Sequence, residues 1–70
     1  MQRQAVTSSD IRAIGYDEQS LTLEIEFKSG GLYEYANVPE AVYRSLMSAS
    51  SHGKYFHQYI RDKYDTQKLA

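Results

Sequence analysis

The spacing of apolar residues changes once along this chain, at Pro39. Before Pro39 the period is two, most clearly over residues 20–28, where apolar and polar side chains alternate without a break. Because successive side chains of a strand point to opposite faces, this segment predicts a strand with one apolar face. That face consists of Leu21, Leu23, Ile25 and Phe27.

A second strand is predicted upstream, over residues 11–16. A tight turn directly after Tyr16 would pair this strand with the alternating one, so that Tyr16 lies opposite Leu21. Ile14 then lies opposite Leu23, and both upstream side chains join the apolar face.

The third predicted strand carries Tyr33 and Tyr35, which must share a face because they are two residues apart. A three-residue loop at residues 28–30, with its glycine in the left-handed conformation, places both rings on the apolar face. A two-residue loop shifts the register by one and places them on the solvent face. We favour the three-residue loop, because the alternative puts Glu34 opposite Ile25 and glutamate is rarely a core residue.

After Pro39 the period becomes helical. Proline suits a first helical position, and the apolar stripe that follows consists of Val42, Tyr43, Leu46 and Met47. Ser50 or Ser51 would cap a second helix within residues 52–64, whose apolar side chains are Phe56, Tyr59, Ile60 and Tyr64. The predicted fold class is therefore α+β, a three-stranded antiparallel meander followed by two short amphipathic helices packed on one sheet face.

The length and composition fit one small domain, residues 1–70, with an ordered core at about residues 8–64 and flexible ends. The chain has no cysteine, so neither a disulfide framework nor a thiolate metal site holds it together, and seven tyrosines supply much of its large apolar surface. No stretch approaches the roughly 20 apolar residues of a membrane span. We expect a soluble cytoplasmic protein with no membrane partner.

The net charge of −1 argues against a protein that wraps duplex nucleic acid, because such proteins carry clustered Lys and Arg. The charge is unevenly distributed, however. Residues 1–51 carry four basic and seven acidic side chains, whereas residues 52–70 carry four basic and two acidic ones. The C-terminal quarter of the chain is therefore mildly basic.

Several short motifs occur along the chain in a characteristic order. They are Ile14-Gly15-Tyr16-Asp17, the segment Leu23 to Phe27, Gly30, Tyr33 and Tyr35 followed by Val38-Pro39, Tyr43, and Ser51-x-Gly53-x-Tyr55-Phe56. Over residues 8–64 the chain thereby resembles the KTSC domain, a short family named for a C-terminal extension of some lysyl-tRNA synthetases. The family also occurs as free-standing small bacterial proteins. Its function is not established, and the synthetase association suggests RNA binding.

One position departs from the family pattern. Family members tend to have asparagine after the Tyr-Phe pair, where this chain has His57. A role that depends on that amide therefore does not transfer to this protein.

Five residues are candidates for RNA binding. Tyr33 and Tyr35 could stack on bases, as aromatic side chains do on RNA-binding sheets, although the favoured register makes them core rings. Lys54, His57 and Arg61 could form a phosphate-contacting ridge on the second helix, although a solvated helix face explains the same pattern. Both interpretations stay open for each group.

No motif for catalysis or metal binding is present. His52 and His57 are five residues apart, which does not place both on one helical face, and no cysteine supports them. The glutamates of the alternating strands form an acidic strand face rather than a catalytic pair, and no serine has a base at a known motif spacing. We therefore expect no enzymatic activity, no metal and no cofactor.

Two functions of different class remain. The first is an RNA-binding module for single-stranded or tRNA-like RNA that uses the basic second helix. The second is a protein-interaction or accessory domain that docks through a sheet edge or the acidic strand face. Convergence of the C-terminal basic residues with exposed aromatic rings on one surface would favour the first.

Overall fold

The computed structural model describes residues 2–70 and has a five-stranded antiparallel sheet in the order β1-β2-β3-β4-β5, with two helices between β4 and β5. The strands are β1 (Arg3–Ala5), β2 (Ile11–Asp17), β3 (Thr22–Phe27), β4 (Leu32–Tyr35) and β5 (Thr66–Lys68), and the helices are α1 (Glu40–Ser48) and α2 (His52–Tyr59). The α+β class is confirmed, and the sheet is larger than the predicted three-stranded meander.

The two additional strands lie at the edges of the sheet. β1 pairs with β2 and β5 pairs with β4, and every residue of both strands is exposed. Such polar, three-residue strands have no apolar alternation to reveal them, and they form where an edge offers unpaired N–H and C=O groups. The predicted number of strands was therefore too small. The expected flexibility of the chain ends stays a prediction.

The pairing of β2 with β3 differs from the predicted one by two residues. Tyr16 lies opposite Leu23 rather than Leu21, because the connecting turn occupies residues 18–21. A shift of two residues returns each side chain to the same face, so Ile14 is buried as predicted. Leu21 itself lies in the turn with a φ of 58° and is 39% exposed, so its prediction as a core residue was wrong.

A β-bulge in β2 lets two isoleucines three residues apart face the core. In a regular strand Ile11 and Ile14 would point to opposite faces. The register shifts between Ile11 and Ala13, so that Ile11 lies opposite Phe27 and Ala13 lies opposite Glu26. As a result both isoleucines are completely buried.

The β3–β4 hairpin has the predicted three-residue loop. Tyr33 pairs with Ile25 and Tyr35 pairs with Leu23. Gly30 has a φ of 106°, a left-handed conformation that glycine adopts without a steric penalty. The predicted register is therefore confirmed, and both tyrosines lie on the apolar face of the sheet.

The two helices share a core with the sheet. Ser51 caps α2, since its Oγ accepts a hydrogen bond from the backbone N–H of Lys54 at 3.2 Å. Leu46 of α1 is completely buried. The buried cluster that joins both layers consists of Ile11, Ile14, Leu23, Ile25, Tyr35, Val38, Leu46, Phe56 and Ile60.

Tyr16 holds α1 and the segment before it on the sheet. Its ring stacks on that of Tyr43, with centroids 4.6 Å apart and an interplanar angle of 8°. Its hydroxyl donates a hydrogen bond of 2.6 Å to the carbonyl oxygen of Val38. Tyr16 therefore contributes both an apolar face and a polar end to the packing.

The second helix is shorter than the predicted range of residues 52–64. It ends at Tyr59, and the chain then turns back into β5. Phe56 and Ile60, four residues apart, define its buried face, whereas Tyr59 is 50% exposed and packs on Tyr55. The prediction that Tyr59 belongs to the apolar face was therefore wrong.

We expect Leu23→Ala to lower the free energy of unfolding by about 2 to 5 kcal/mol, because Leu23 is completely buried in the cluster. The control is Leu21→Ala, which removes the same atoms from an exposed turn and should change stability by about 0.5 kcal/mol or less. Urea unfolding of both variants measures the difference. Equal midpoints would show that Leu23 does not carry the core.

Candidate functional site

A groove of about 440 Å³ lies between the end of α2, the β3–β4 hairpin and β5. We call it the α2 groove. Its aromatic lining is Phe27, Tyr33, Tyr35 and Phe56, and its polar lining is Ser29, His57, Arg61, Asp62 and Thr66. Four of the five residues predicted as RNA-binding candidates therefore lie in one concave surface.

The aromatic lining is a connected set of edge-to-face contacts. Phe56 of α2 packs on Phe27 with centroids 5.4 Å apart and on Tyr35 with centroids 5.5 Å apart. Phe27 in turn contacts Tyr33 at 5.6 Å and an interplanar angle of 79°. This geometry brings the positive edge of one ring onto the negative face of another, which adds to the energy of apolar burial. The cluster therefore holds α2 on the hairpin.

The two tyrosines of the lining differ in accessibility. Tyr35 is 4% exposed and belongs to the core, whereas Tyr33 is half-buried. The Tyr33 ring lies against Gly31, where an added Cβ would be 2.8 Å from the ring atom Cε1. Gly31 therefore provides space for this ring, and Tyr33 is the tyrosine that a ligand in the groove can contact.

The ionisation of Tyr35 reflects its surroundings. Burial raises the pKa of Tyr35 to about 12, and the neighbouring Tyr33 adds to the shift. The positive charge of Arg61 acts in the opposite direction, and the negative charge of Asp62 raises the pKa further. Both charged residues line the same groove as Tyr35.

The nitrogen donors of the groove belong to Arg61, which is a cation, and to His57. The Nη1 atom of Arg61 lies 3.3 Å from Nδ1 of His57. A guanidinium only donates hydrogen bonds, so Nδ1 is the acceptor and His57 in this contact is the neutral tautomer with its proton on Nε2. That Nε2 atom lies 3.9 Å from Oδ2 of Asp10. His57 is thereby positioned between a cation and an anion.

A second groove, of about 500 Å³, adjoins the first at His57. The two grooves share Phe27, Ser29 and His57, and the second is also lined by Ser9, Asp10 and Lys28. The two grooves therefore meet at these three shared residues.

Two residues of β5 extend the face on which the α2 groove lies. Thr66 lies opposite Tyr35 and Lys68 lies opposite Tyr33. Side chains of directly paired residues share one face of a sheet, so Lys68 adds a positive charge beside the Tyr33 ring. Neither of these residues, nor Asp62, is predicted from the sequence as part of a site, because a short polar segment carries no periodic signal.

Lys54, the fifth predicted candidate, does not line the α2 groove. It lies one helical turn before His57 on α2, with its side chain exposed. His52 has a structural contact, since its Nδ1 lies 2.8 Å from the carbonyl oxygen of Leu46 and donates to it. Within residues 2–70, no group of three His, Cys, Asp or Glu side chains could hold a metal ion.

The acidic strand face carries its own counter-charges. Arg3 forms an ion pair with Glu24, and its Nε lies 3.7 Å from Oε1 of Glu26. The Nε of Arg12 lies 4.0 Å from Oε2 of the same glutamate. The sheet face that was predicted to be acidic therefore presents mixed charge.

Comparisons with known proteins identify the family. The KTSC domain family matches residues 7–64. The chain is 42% identical over 64 residues to an uncharacterised protein of Stutzerimonas stutzeri, covering 91% of this chain and 90% of that protein. The crystal structure of a KTSC domain protein from Yersinia pestis has a TM-score of 0.96 and 43% identity, with coverage of 99% of this chain and 97% of that one. This chain belongs to the KTSC domain family.

The same domain also forms part of larger proteins. The chain is 40% identical over 62 residues to a lysine-tRNA ligase of Nostoc sp., and the match covers 89% of this chain but 11% of the ligase. A lysine-tRNA ligase of Nostoc punctiforme is 39% identical over the same length. Among residues 2–70, no helix is long and apolar enough to cross a membrane.

The raised pKa of Tyr35 makes stability depend on pH. The folded protein favours the neutral phenol, so this contribution is complete below pH 10 and is lost as the pH rises towards about 12. We expect the free energy of unfolding of the wild type to fall over this range relative to Tyr35→Phe, which cannot ionise. Urea unfolding at several pH values measures the difference. Tyr59→Phe, at an exposed ring, is the control, and parallel curves for wild type and Tyr35→Phe would contradict the burial of this hydroxyl.

Proposed function

We propose that this KTSC domain is a small non-catalytic RNA-binding module that holds a single-stranded segment in the α2 groove. The observation that supports the proposal is the convergence of Arg61 and His57 with the half-buried ring of Tyr33 in one concave surface. This combination is suited to single-stranded RNA, because its phosphates bind cations and its unpaired bases stack on aromatic rings.

Each residue has a separate role in this proposal. Arg61 contacts a phosphate through its guanidinium, and His57 offers Nε2–H as a further donor. Tyr33 provides the stacking surface, whereas Tyr35 is buried and holds that surface in place. Lys68, opposite Tyr33 on β5, contributes a second cation.

The adjoining groove allows the strand to continue. The surface around His57 leads from the α2 groove towards Lys28, which lines the second groove. An RNA strand that crosses His57 can therefore meet cations on both sides, as extended single strands do in other binding grooves.

The expected affinity is low. Asp10 lies close to His57, Asp62 lies close to Arg61, and the whole chain has a net charge of −1. Few phosphates can be neutralised at once, so binding should be weak and sensitive to salt. Such a site suits unpaired segments rather than a long duplex.

The related lysine-tRNA ligases suggest which class of RNA this domain binds. The lysine-tRNA ligases that contain this domain have, by their name, tRNA as a substrate. We propose tRNA-like molecules, with their unpaired loops and ends, as the ligand class for the free-standing domain as well.

Protein docking through a sheet edge is the second candidate function. β5 is an edge strand whose residues are all exposed, and an exposed edge can pair with a strand of another chain. Docking through the acidic strand face has less support, because Arg3 and Arg12 already pair with its glutamates.

The RNA proposal predicts that Arg61→Gln weakens binding of labelled single-stranded RNA. One lost phosphate contact should lower the slope of log affinity against log salt by about 0.7. Arg44→Gln is the matched control, since Arg44 also pairs with an acidic side chain but lies on α1 outside the groove. Fluorescence anisotropy at several salt concentrations measures both variants, and Lys54→Gln tests whether the site extends along α2.

Equal loss of affinity in Arg61→Gln and Arg44→Gln would show that binding reflects overall charge and not the groove. Absence of RNA binding by the wild type at low salt, up to its solubility limit, would contradict the RNA proposal. Docking through a sheet edge would then be the leading candidate.

A further inference from the structure

Asp62 is the one carboxylate among the residues that line the α2 groove. The proposed ligand is a polyanion, and a carboxylate in its path repels phosphate. A carboxylate is also only an acceptor of hydrogen bonds, whereas Arg61 and the Nε2 atom of His57 are donors. A ligand that binds against Asp62 must therefore present hydrogen-bond donors to it, and in a nucleobase these are N–H groups.

The carboxylate of Asp62 is available for such a ligand. Its side chain is 91% exposed, and its Oδ2 lies 3.9 Å from Nε of Arg61, which is too long for a hydrogen bond. The backbone at Asp62 has a φ of 63°, and the turn is closed by the N–H of Lys63, which donates to the carbonyl of Ile60 at 3.0 Å. This turn holds Asp62 beside the groove.

The four RNA bases differ in what they offer to an acceptor with two oxygens. The Watson–Crick edge of guanine carries two adjacent donors, N1–H and the N2 amino group, which match the two oxygens of a carboxylate. Adenine and cytosine carry one amino group beside a ring nitrogen that accepts. Uracil carries one N–H between two carbonyls. Proteins commonly recognise unpaired bases on this edge. Guanine is the base that can donate a hydrogen bond to each carboxylate oxygen of Asp62 without placing an acceptor against it.

We infer that Asp62 selects guanine at the α2 groove, with the base stacked on Tyr33 and its Watson–Crick edge towards the carboxylate. This inference rests on the proposed RNA-binding function and names the base that the site prefers. Arg61, next to Asp62 in the chain, then contacts a phosphate of the same strand.

The experiment compares three labelled oligonucleotides that differ at one position. They are an oligouridine, the same strand with one guanosine, and the same strand with one inosine, which lacks the N2 amino group. We expect the wild type to bind the guanosine strand roughly tenfold more tightly than the oligouridine, as for a bidentate contact to a base. The inosine strand should fall between the two.

The variant is Asp62→Asn, which has the same shape and tolerates the left-handed conformation at this position. It should lose the preference for guanosine while binding oligouridine as well as the wild type or better, because a negative charge has been removed. Asp65→Asn is the control, since it removes an equal charge from an exposed residue outside the groove lining and should keep the preference.

The outcomes separate this inference from the proposal on which it rests. RNA binding without a guanosine preference would overturn the role of Asp62 and leave the RNA-binding function in place. If Asp62→Asn raises the affinity for all three strands equally, the role of Asp62 in base selection is also overturned, because removal of a negative charge alone explains that result. No binding of any strand would overturn both. Asp62→Gly, which also accepts a positive φ, repeats the test if the asparagine variant does not fold.

Discussion

The packing of Phe56 against Phe27 and Tyr35 is the interaction on which the rest of the site depends. Phe56 directly precedes His57 and lies five residues before Arg61, so its position on the sheet determines where both of these side chains lie. In a chain of 70 residues without cysteine, a few large rings must provide much of the packing. The same rings therefore stabilise the fold and line the groove.

The turn at Gly30 determines which rings can take part. With the three-residue loop, Tyr33 and Tyr35 face the helices, and the groove acquires its aromatic lining. A register one residue away would move both rings to the opposite face, where Arg3 and Arg12 pair with glutamates. The left-handed conformation of Gly30 thus determines that the tyrosines line a groove and are not exposed on the charged face of the sheet.

The positions of the charged side chains determine the properties of the groove more than the net charge of the chain does. On the outer sheet face, Arg3 and Arg12 pair with Glu24 and Glu26. At the α2 groove, His57 lies 3.9 Å from Asp10 and Arg61 lies 3.9 Å from Asp62, and both side chains are exposed to solvent. A chain with a net charge of −1 can therefore present a local cationic surface, although a weak one.

The sequence by itself determined the α+β class and the alternation of β3, which depend on local spacing. It favoured the three-residue loop over the two-residue one, and it offered Ser50 or Ser51 as the cap of α2. It also identified Tyr33, Tyr35, His57 and Arg61 as candidates, because residue type and helix polarity are visible in one segment. Only the tertiary structure decided that these four residues meet in a groove, that β1 and β5 complete the sheet, and that Asp62 lines the site. The groove joins residues that are far apart in the chain, so it exists only once the helix has packed on the sheet. The strands β1 and β5 are polar segments without a periodic pattern, and they form only because the sheet offers them an unpaired edge.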